Sequence, residues 1–139
     1  MSADMAPTVR ELSGWGRTSP TVSSYVEPSD RHDLLASVRA ADPSRGTIAR
    51  GLGRSYGDPA QNAGGCVLGT SRLDQVLGLD TVAGTVTVEA GVSIGRLSRS
   101  LLSEKMFVPV TPGTRAVTVG GAIAADVHGK NHHRDGAFG

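Results

Sequence analysis

Thr47-Ile-Ala-Arg-Gly-Leu-Gly-Arg-Ser-Tyr-Gly-Asp-Pro59 opens as a β-prone run, Thr47 to Ala49, and passes into a glycine-dense loop reaching Gly65. A dinucleotide fingerprint would read G-x-G-x-x-G and open a helix. Here the third glycine, Gly57, comes one residue late, and Pro59, Gly64 and Gly65 forbid an immediate helix. No G-x-x-x-x-G-K-[ST] string occurs, which excludes a P-loop. What remains is a run of backbone N–H groups with few Cβ atoms in the way. Such a nest accepts several hydrogen bonds from a pyrophosphate, with Arg50 or Arg54 beside it as charge. An ordinary glycine-rich turn is the plain alternative, and the loop alone does not choose.

Toward the N-terminus, residues 1–13 read as a leader, expected to be mobile and loosest from Met1 to Arg10. Gly14-Trp-Gly-Arg17 reads as a loop with Trp15 anchored in a core. A helix is expected from Ser29 or Asp30, either of which can cap it. Leu34, Leu35, Val38 and Ala41 would form its apolar face, and Pro43 closes it.

Toward the C-terminus, Cys66 to Leu68 is a short strand. Leu77–Asp80 and Thr85–Ala90 read as a hairpin turning at Ala83 and Gly84, with Val86, Val88 and Ala90 alternating against Thr85, Thr87 and Glu89. Ser93 caps a helix with Ile94, Leu97 and Leu101 on one face. A turn-rich stretch, Pro109 to Gly113, precedes Pro112-Gly-Thr-Arg115 and Thr118-Val-Gly-Gly-Ala-Ile-Ala124. Gly120 and Gly121 open a small-residue helix whose first amides and dipole favour an anionic oxygen. Tight packing of that helix is the other reading. The fold class is a mixed α/β (α+β) one, with strands too few and too short to complete a sheet.

The 139 residues allow one domain at most. Hydrophobic residues make up 38% and charged residues 19%, so the chain is not of a disordered type. Gly at 19 positions is about twice the usual share and sits in clusters, as expected where backbone must approach something closely. A net charge of +1 supplies no basic field for nucleic acid. The single cysteine, Cys66, excludes an internal disulfide and a Cys-rich zinc module, and in an apolar strand it reads as an inert buried thiol. No apolar run nears the ~20 residues of a membrane span. No signal peptide is read in Met1 to Pro7, so the cytoplasm is the expected compartment. The lack of closure near Gly139 is read as the mark of a fragment.

A polar cluster near the C-terminus holds His128, Lys130, Asn131, His132 and His133. His128 and His132 have the spacing of two ligands on one helical face, but Gly129 interrupts the helix and no H-E-x-x-H occurs, so no metal is expected. The cluster reads either as a solvated polar loop or as donors beside a flavin or a substrate hydroxyl, where His128 and Lys130 are the catalytic candidates.

Together, Gly14-Trp-Gly-Arg17, Arg50-Gly-Leu-Gly-Arg-Ser-Tyr-Gly-Asp58, Pro112-Gly-Thr-Arg115, Thr118-Val-Gly-Gly-Ala-Ile-Ala124 and His128-Gly-Lys-Asn-His-His133 resemble the decaprenylphosphoryl-β-D-ribose 2-oxidase family. That family lies in the vanillyl-alcohol oxidase and p-cresol methylhydroxylase class of FAD proteins. The resemblance implies that residues 14–139 are the N-terminal portion of an FAD-binding domain, its substrate domain lying outside this chain. It implies that Ala49, Arg50, Gly51, Leu52, Gly53, Arg54, Ser55, Tyr56, Gly57, Asp58 and Pro59 wrap the pyrophosphate. Gly113, Thr118, Val119, Gly120 and Gly121 would assist, and His128, Gly129, Lys130 and Asn131 would line the flavin and the substrate mouth. Asp58 stands where the wider superfamily often has a flavin-linked histidine, which implies non-covalent FAD. The implied reaction oxidises the ribose 2-hydroxyl of a polyprenyl-phosphate sugar, and an NADH-dependent reductase partner then yields the arabinose epimer for cell-wall arabinan. Peripheral membrane association, or a place on the periplasmic face, is implied as well. An aldonolactone-oxidase-like flavoprotein and a non-catalytic remnant are the competing readings. The 139 residues alone are expected to hold at best part of an FAD site and not to turn over substrate.

Overall fold

The computed structural model describes residues 6–138, and the chain divides into two compact units, residues 1–73 and 74–139. Unit 1 holds four strands and one helix: β1 (Thr8–Leu12), β2 (Thr21–Val26), α1 (Arg31–Ala40), β3 (Thr47–Arg50) and β4 (Cys66–Gly69). Its sheet runs β1-β2-β4-β3, with β1 antiparallel to β2 and β4 parallel to both β2 and β3. Tyr25, Val26, Val67, Leu68 and Leu73 are its buried apolar residues. Because β2, β3 and β4 run the same way, the 51–65 connection leaves β3 at the carboxyl edge of the parallel strands. In α/β sheets this is the edge where ligands bind.

The mobile leader expected over residues 1–13 is corrected at Thr8–Leu12. These residues pair with Thr21–Val26 in register from Thr8–Tyr25 to Leu12–Thr21. Met1 to Met5 lie outside the described residues. β2 carries no clear alternation because Ser23 points inward and is buried, its hydroxyl donating to the Asn62 carbonyl at 2.7 Å.

Helix α1 starts where its cap dictates. The Asp30 carboxylate accepts from the Asp33 N–H at 2.8 Å. Its buried face is only partly the expected one. Asp33 and Ser37 are buried and Leu34 packs on Val26 and Leu68, whereas Leu35 and Val38 are exposed. The Ser37 hydroxyl donates to the Asp33 carbonyl at 2.8 Å, so a polar residue can be buried on this face without an unpaired group.

Unit 2 contains the hairpin β5 (Val76–Asp80) and β6 (Thr85–Val88), then α2 (Ile94–Leu102), α3 (Val119–Ala124) and α4 (His132–Asp135). Gly84 sits at φ +69, as the hairpin turn requires. Ser93 caps α2 by accepting from the Arg96 N–H, and Ile94, Leu97 and Leu101 are buried as their spacing predicts. Val92, Leu97, Leu101 and Val108 form one apolar cluster, and Ile94, Val117 and Ala122 form a second; Val119 and Phe138 pack on both.

Cys66 is half-buried at the start of β4. Burial pushes its thiol above the ordinary value, and a hydrogen bond with Thr47 opposes this more weakly. The thiolate is therefore scarce near neutrality. Thiol labelling of the native chain is expected to run several-fold slower than labelling of the urea-unfolded chain at pH 8, with the gap closing as pH rises. The stability sign follows: the unfolded thiol ionises first, so the contribution of Cys66 is full below about pH 8.5 and declines above it. Equal labelling rates in both states would contradict this burial.

Candidate functional site

The turn from Gly51 to Gly57 is shaped by residues far from it in sequence. Ser55 and Tyr56 offer their carbonyls to the N–H groups of Trp15 (2.6 Å) and Gly16 (3.4 Å). A Cβ on Gly14 would run into the Gly57 carbonyl oxygen and approach those of Ser55 and Tyr56 at 2.7 and 2.9 Å, so the contact demands glycine. Gly53 adopts φ +63, and a Cβ there would collide with the Arg50 guanidinium. The carbonyls of Ser55 and Tyr56 are thus held on one side. Among the described residues, the backbone N–H groups of Leu52, Gly53, Ser55, Tyr56 and Gly57 donate no hydrogen bond. A row of unpaired amides at the carboxyl edge of parallel strands is an anion cradle.

Two expectations for this turn are corrected. Trp15 is not anchored in a core: it is 52% exposed, and the Arg54 guanidinium lies 4.5 Å from its ring centroid. Arg50 does not stand free as a charge beside the loop, because its guanidinium donates to the carbonyls of Ala60 (3.0 Å) and Ser13 (2.6 Å). Tyr56 is 77% exposed, and Ala49, Leu52, Asp58 and Pro59 are also exposed. The Gly14–Gly16 segment takes part in the site through its backbone. Its glycine-flanked tryptophan was the available signal, but nothing in the local sequence names its partners at 55–57.

In unit 2 the structure brings Gly113 together with His128, Gly129, Lys130 and Asn131. These residues, with Thr111, Pro112 and His132, line a cleft of about 540 Å³, within the usual range for a small-ligand site. Gly129 is buried, and a Cβ on it would approach the Thr111 carbonyl oxygen at 2.8 Å. The His132 Nδ1 lies 3.0 Å from the Gly129 carbonyl oxygen and the His128 Nδ1 3.5 Å from it, with ring centroids 4.9 Å apart. Both Nδ1 atoms thus turn to one backbone oxygen. The Asn131 side-chain amide donates to the Pro109 carbonyl (3.1 Å) and to Asp135 (2.6 Å), clamping the start of α4 to the 109–113 turn. Arg134, and then Asn131, hold the Asp135 carboxyl below the usual carboxylate range. His128 and Lys130 are exposed on the cleft.

The amides opening α3 do not serve as expected. Val119 N–H donates to the Val92 carbonyl (2.8 Å), Gly120 N–H to the Ala90 carbonyl (2.9 Å), and Gly121 N–H to the hydroxyl of the capping Thr118 (3.0 Å). All three are occupied within unit 2, so they offer nothing to an anion. Gly120 answers a packing need, since a Cβ on it would meet the Ala90 Cβ at 2.9 Å. Close packing, the alternative reading of these glycines, is what the structure shows.

Parallel strands that release a turn of unpaired amides at their carboxyl edge define a module for a phosphate-bearing nucleotide cofactor. The family model described as FAD binding domain matches residues 22–139. The chain belongs to that family, and FAD is its cofactor. It is 50% identical, over 99% of its length, to the Mycolicibacterium smegmatis protein named decaprenylphosphoryl-beta-D-ribose oxidase, and spans 30% of the length of that relative. Among solved structures, cholesterol oxidase from Brevibacterium sterolicum is similar over 93% of the chain and 26% of its own (TM-score 0.76, 19% identity). The BBE-like 1 protein of Physcomitrella patens is similar over 90% of the chain and 28% of its own (TM-score 0.74, 21% identity). At those identities the structures establish likeness of fold. The mixed α/β class expected from the sequence agrees with them.

Proposed function

We propose that the chain is the FAD-holding portion of a flavin-dependent oxidoreductase that oxidises the 2-hydroxyl of a polyprenylphosphoryl ribose. The unpaired N–H groups of Leu52, Gly53, Ser55, Tyr56 and Gly57 carry the cofactor half of this reading. Five N–H groups without internal partners suit a diphosphate, whose oxygens each accept more than one hydrogen bond. The substrate half rests on the 50% identity with the M. smegmatis protein and on the His128–His133 string.

The bound isoalloxazine supplies the hydride acceptor. The chain's residues do the rest. The 51–57 turn would hold the diphosphate. His128 would accept the proton of the substrate hydroxyl, and Lys130 would hold negative charge at the cleft. With Asp58 where a linking histidine would stand, FAD is held without a covalent bond. The keto sugar then passes to an NADH-dependent reductase. A polyprenyl tail on the substrate suits an enzyme attached peripherally at a membrane surface.

The full gene product is expected to purify with a flavin absorption band that denaturation releases into the supernatant. Addition of polyprenylphosphoryl ribose under anaerobic conditions is expected to bleach it. Flavin that stays on the denatured chain would refute non-covalent attachment. Bleaching by an aldonolactone and not by the phosphoribose would overturn the substrate assignment.

A further inference from the structure

The geometry points to Arg50 as a positioning residue that presents the 51–57 amides, in place of a cation that contacts the diphosphate; this rests on the FAD reading above only for its affinity arm. Arg50 is the last residue of β3 and is half-buried. One guanidinium arm donates to the Ala60 carbonyl, where the loop closes after Pro59, and the other to the Ser13 carbonyl, immediately before Gly14. Gly53 folds over the same guanidinium, where a side chain would collide with it. A single side chain therefore joins the strand end, the loop exit and the N-terminal segment whose Trp15 and Gly16 amides clip the loop carbonyls.

With the Ser55 and Tyr56 carbonyls held from behind, the Tyr56 and Gly57 N–H groups on the same trans peptide planes turn the other way. That division of labour needs a planar fork with donors on separate arms. A lysine ammonium carries the same charge but is a compact group that cannot span both carbonyls in this geometry.

The test compares Arg50→Lys, which keeps the charge, with Arg50→Met, which removes it. Amide hydrogen exchange at Trp15 and Gly16 reports the clip without any ligand, and Trp15, the chain's single tryptophan, reports the loop by fluorescence. Both variants are expected to lose at least ~10-fold of the protection at Trp15 and Gly16 while protection in α2 and the β5–β6 hairpin is kept. FAD affinity is expected to fall about as far in Arg50→Lys as in Arg50→Met, with the salt dependence of binding unchanged in Arg50→Lys. Wild-type protection and affinity in Arg50→Lys, with affinity lost only in Arg50→Met, would show a direct charge contact and overturn the proposal. If the wild-type protein does not bind FAD, the functional reading fails, and the exchange comparison still decides the role of Arg50.

Discussion

Gly14→Ala is expected to weaken FAD binding by roughly 30-fold or more, equivalent to about 2 kcal/mol, although residue 14 need not touch the cofactor. The added methyl would have to occupy the space of three carbonyl oxygens, those of Ser55, Tyr56 and Gly57. The Ser55 and Tyr56 oxygens share their peptide planes with the Tyr56 and Gly57 N–H groups, so any shift that accommodates the methyl rotates those planes and displaces these donors. The 2.6 Å hydrogen bond from Trp15 to Ser55 is lost in the same movement. Titration with FAD, followed by quenching of Trp15 fluorescence, measures the effect. Circular dichroism of the variant serves as the control, because β1–β2 pairing does not pass through Gly14. Wild-type affinity in Gly14→Ala would show that the clip is incidental.

Gly120→Val is expected to lower the stability of unit 2 by about 2–4 kcal/mol, in the absence of any flavin. The branched side chain would press on Ala90 and drive α3 from the 90–92 turn. This breaks the hydrogen bonds from Val119 to Val92 and from Gly120 to Ala90. Val119 packs against both apolar clusters of the unit, so the displacement reaches Leu97 and Ile94. Against the ~5–15 kcal/mol of a typical domain such a loss is large. Urea unfolding monitored by circular dichroism provides the measurement. A variant as stable as wild type that had lost only FAD binding would return Gly120 to the role of a phosphate ligand.

These two glycines show what a sequence reveals about a site and what it conceals. Caps and periodicity are local, so the Asp30 start of α1, the Ser93 start of α2 with its buried Ile94, Leu97 and Leu101, and the hairpin around Gly84 could be read directly. The glycine density of 51–57 likewise marked the turn with the unpaired amides. Concealment begins where the deciding partner is distant in sequence. β1 is almost wholly exposed and gains order only from its ladder with β2. Trp15 finds its partner in Arg54, and Arg50 ties Ser13 to Ala60. The pattern before α3 promised free amides at a helix start, yet the 90–92 turn and the Thr118 hydroxyl occupy them. Glycine before a helix thus records close approach, and only the hydrogen-bond partners tell whether the neighbour is a ligand or the protein itself.

The most direct measurement is an amide-resolved NMR titration of the isotopically labelled chain with FAD, and in parallel with riboflavin, which lacks the diphosphate. Large shifts are expected at Leu52, Gly53, Ser55, Tyr56 and Gly57 with FAD, small ones there with riboflavin, and none at Val119 to Gly121 that FAD alone produces. Shifts specific to FAD at Val119 to Gly121, with the 52–57 amides unmoved, would contradict this expectation.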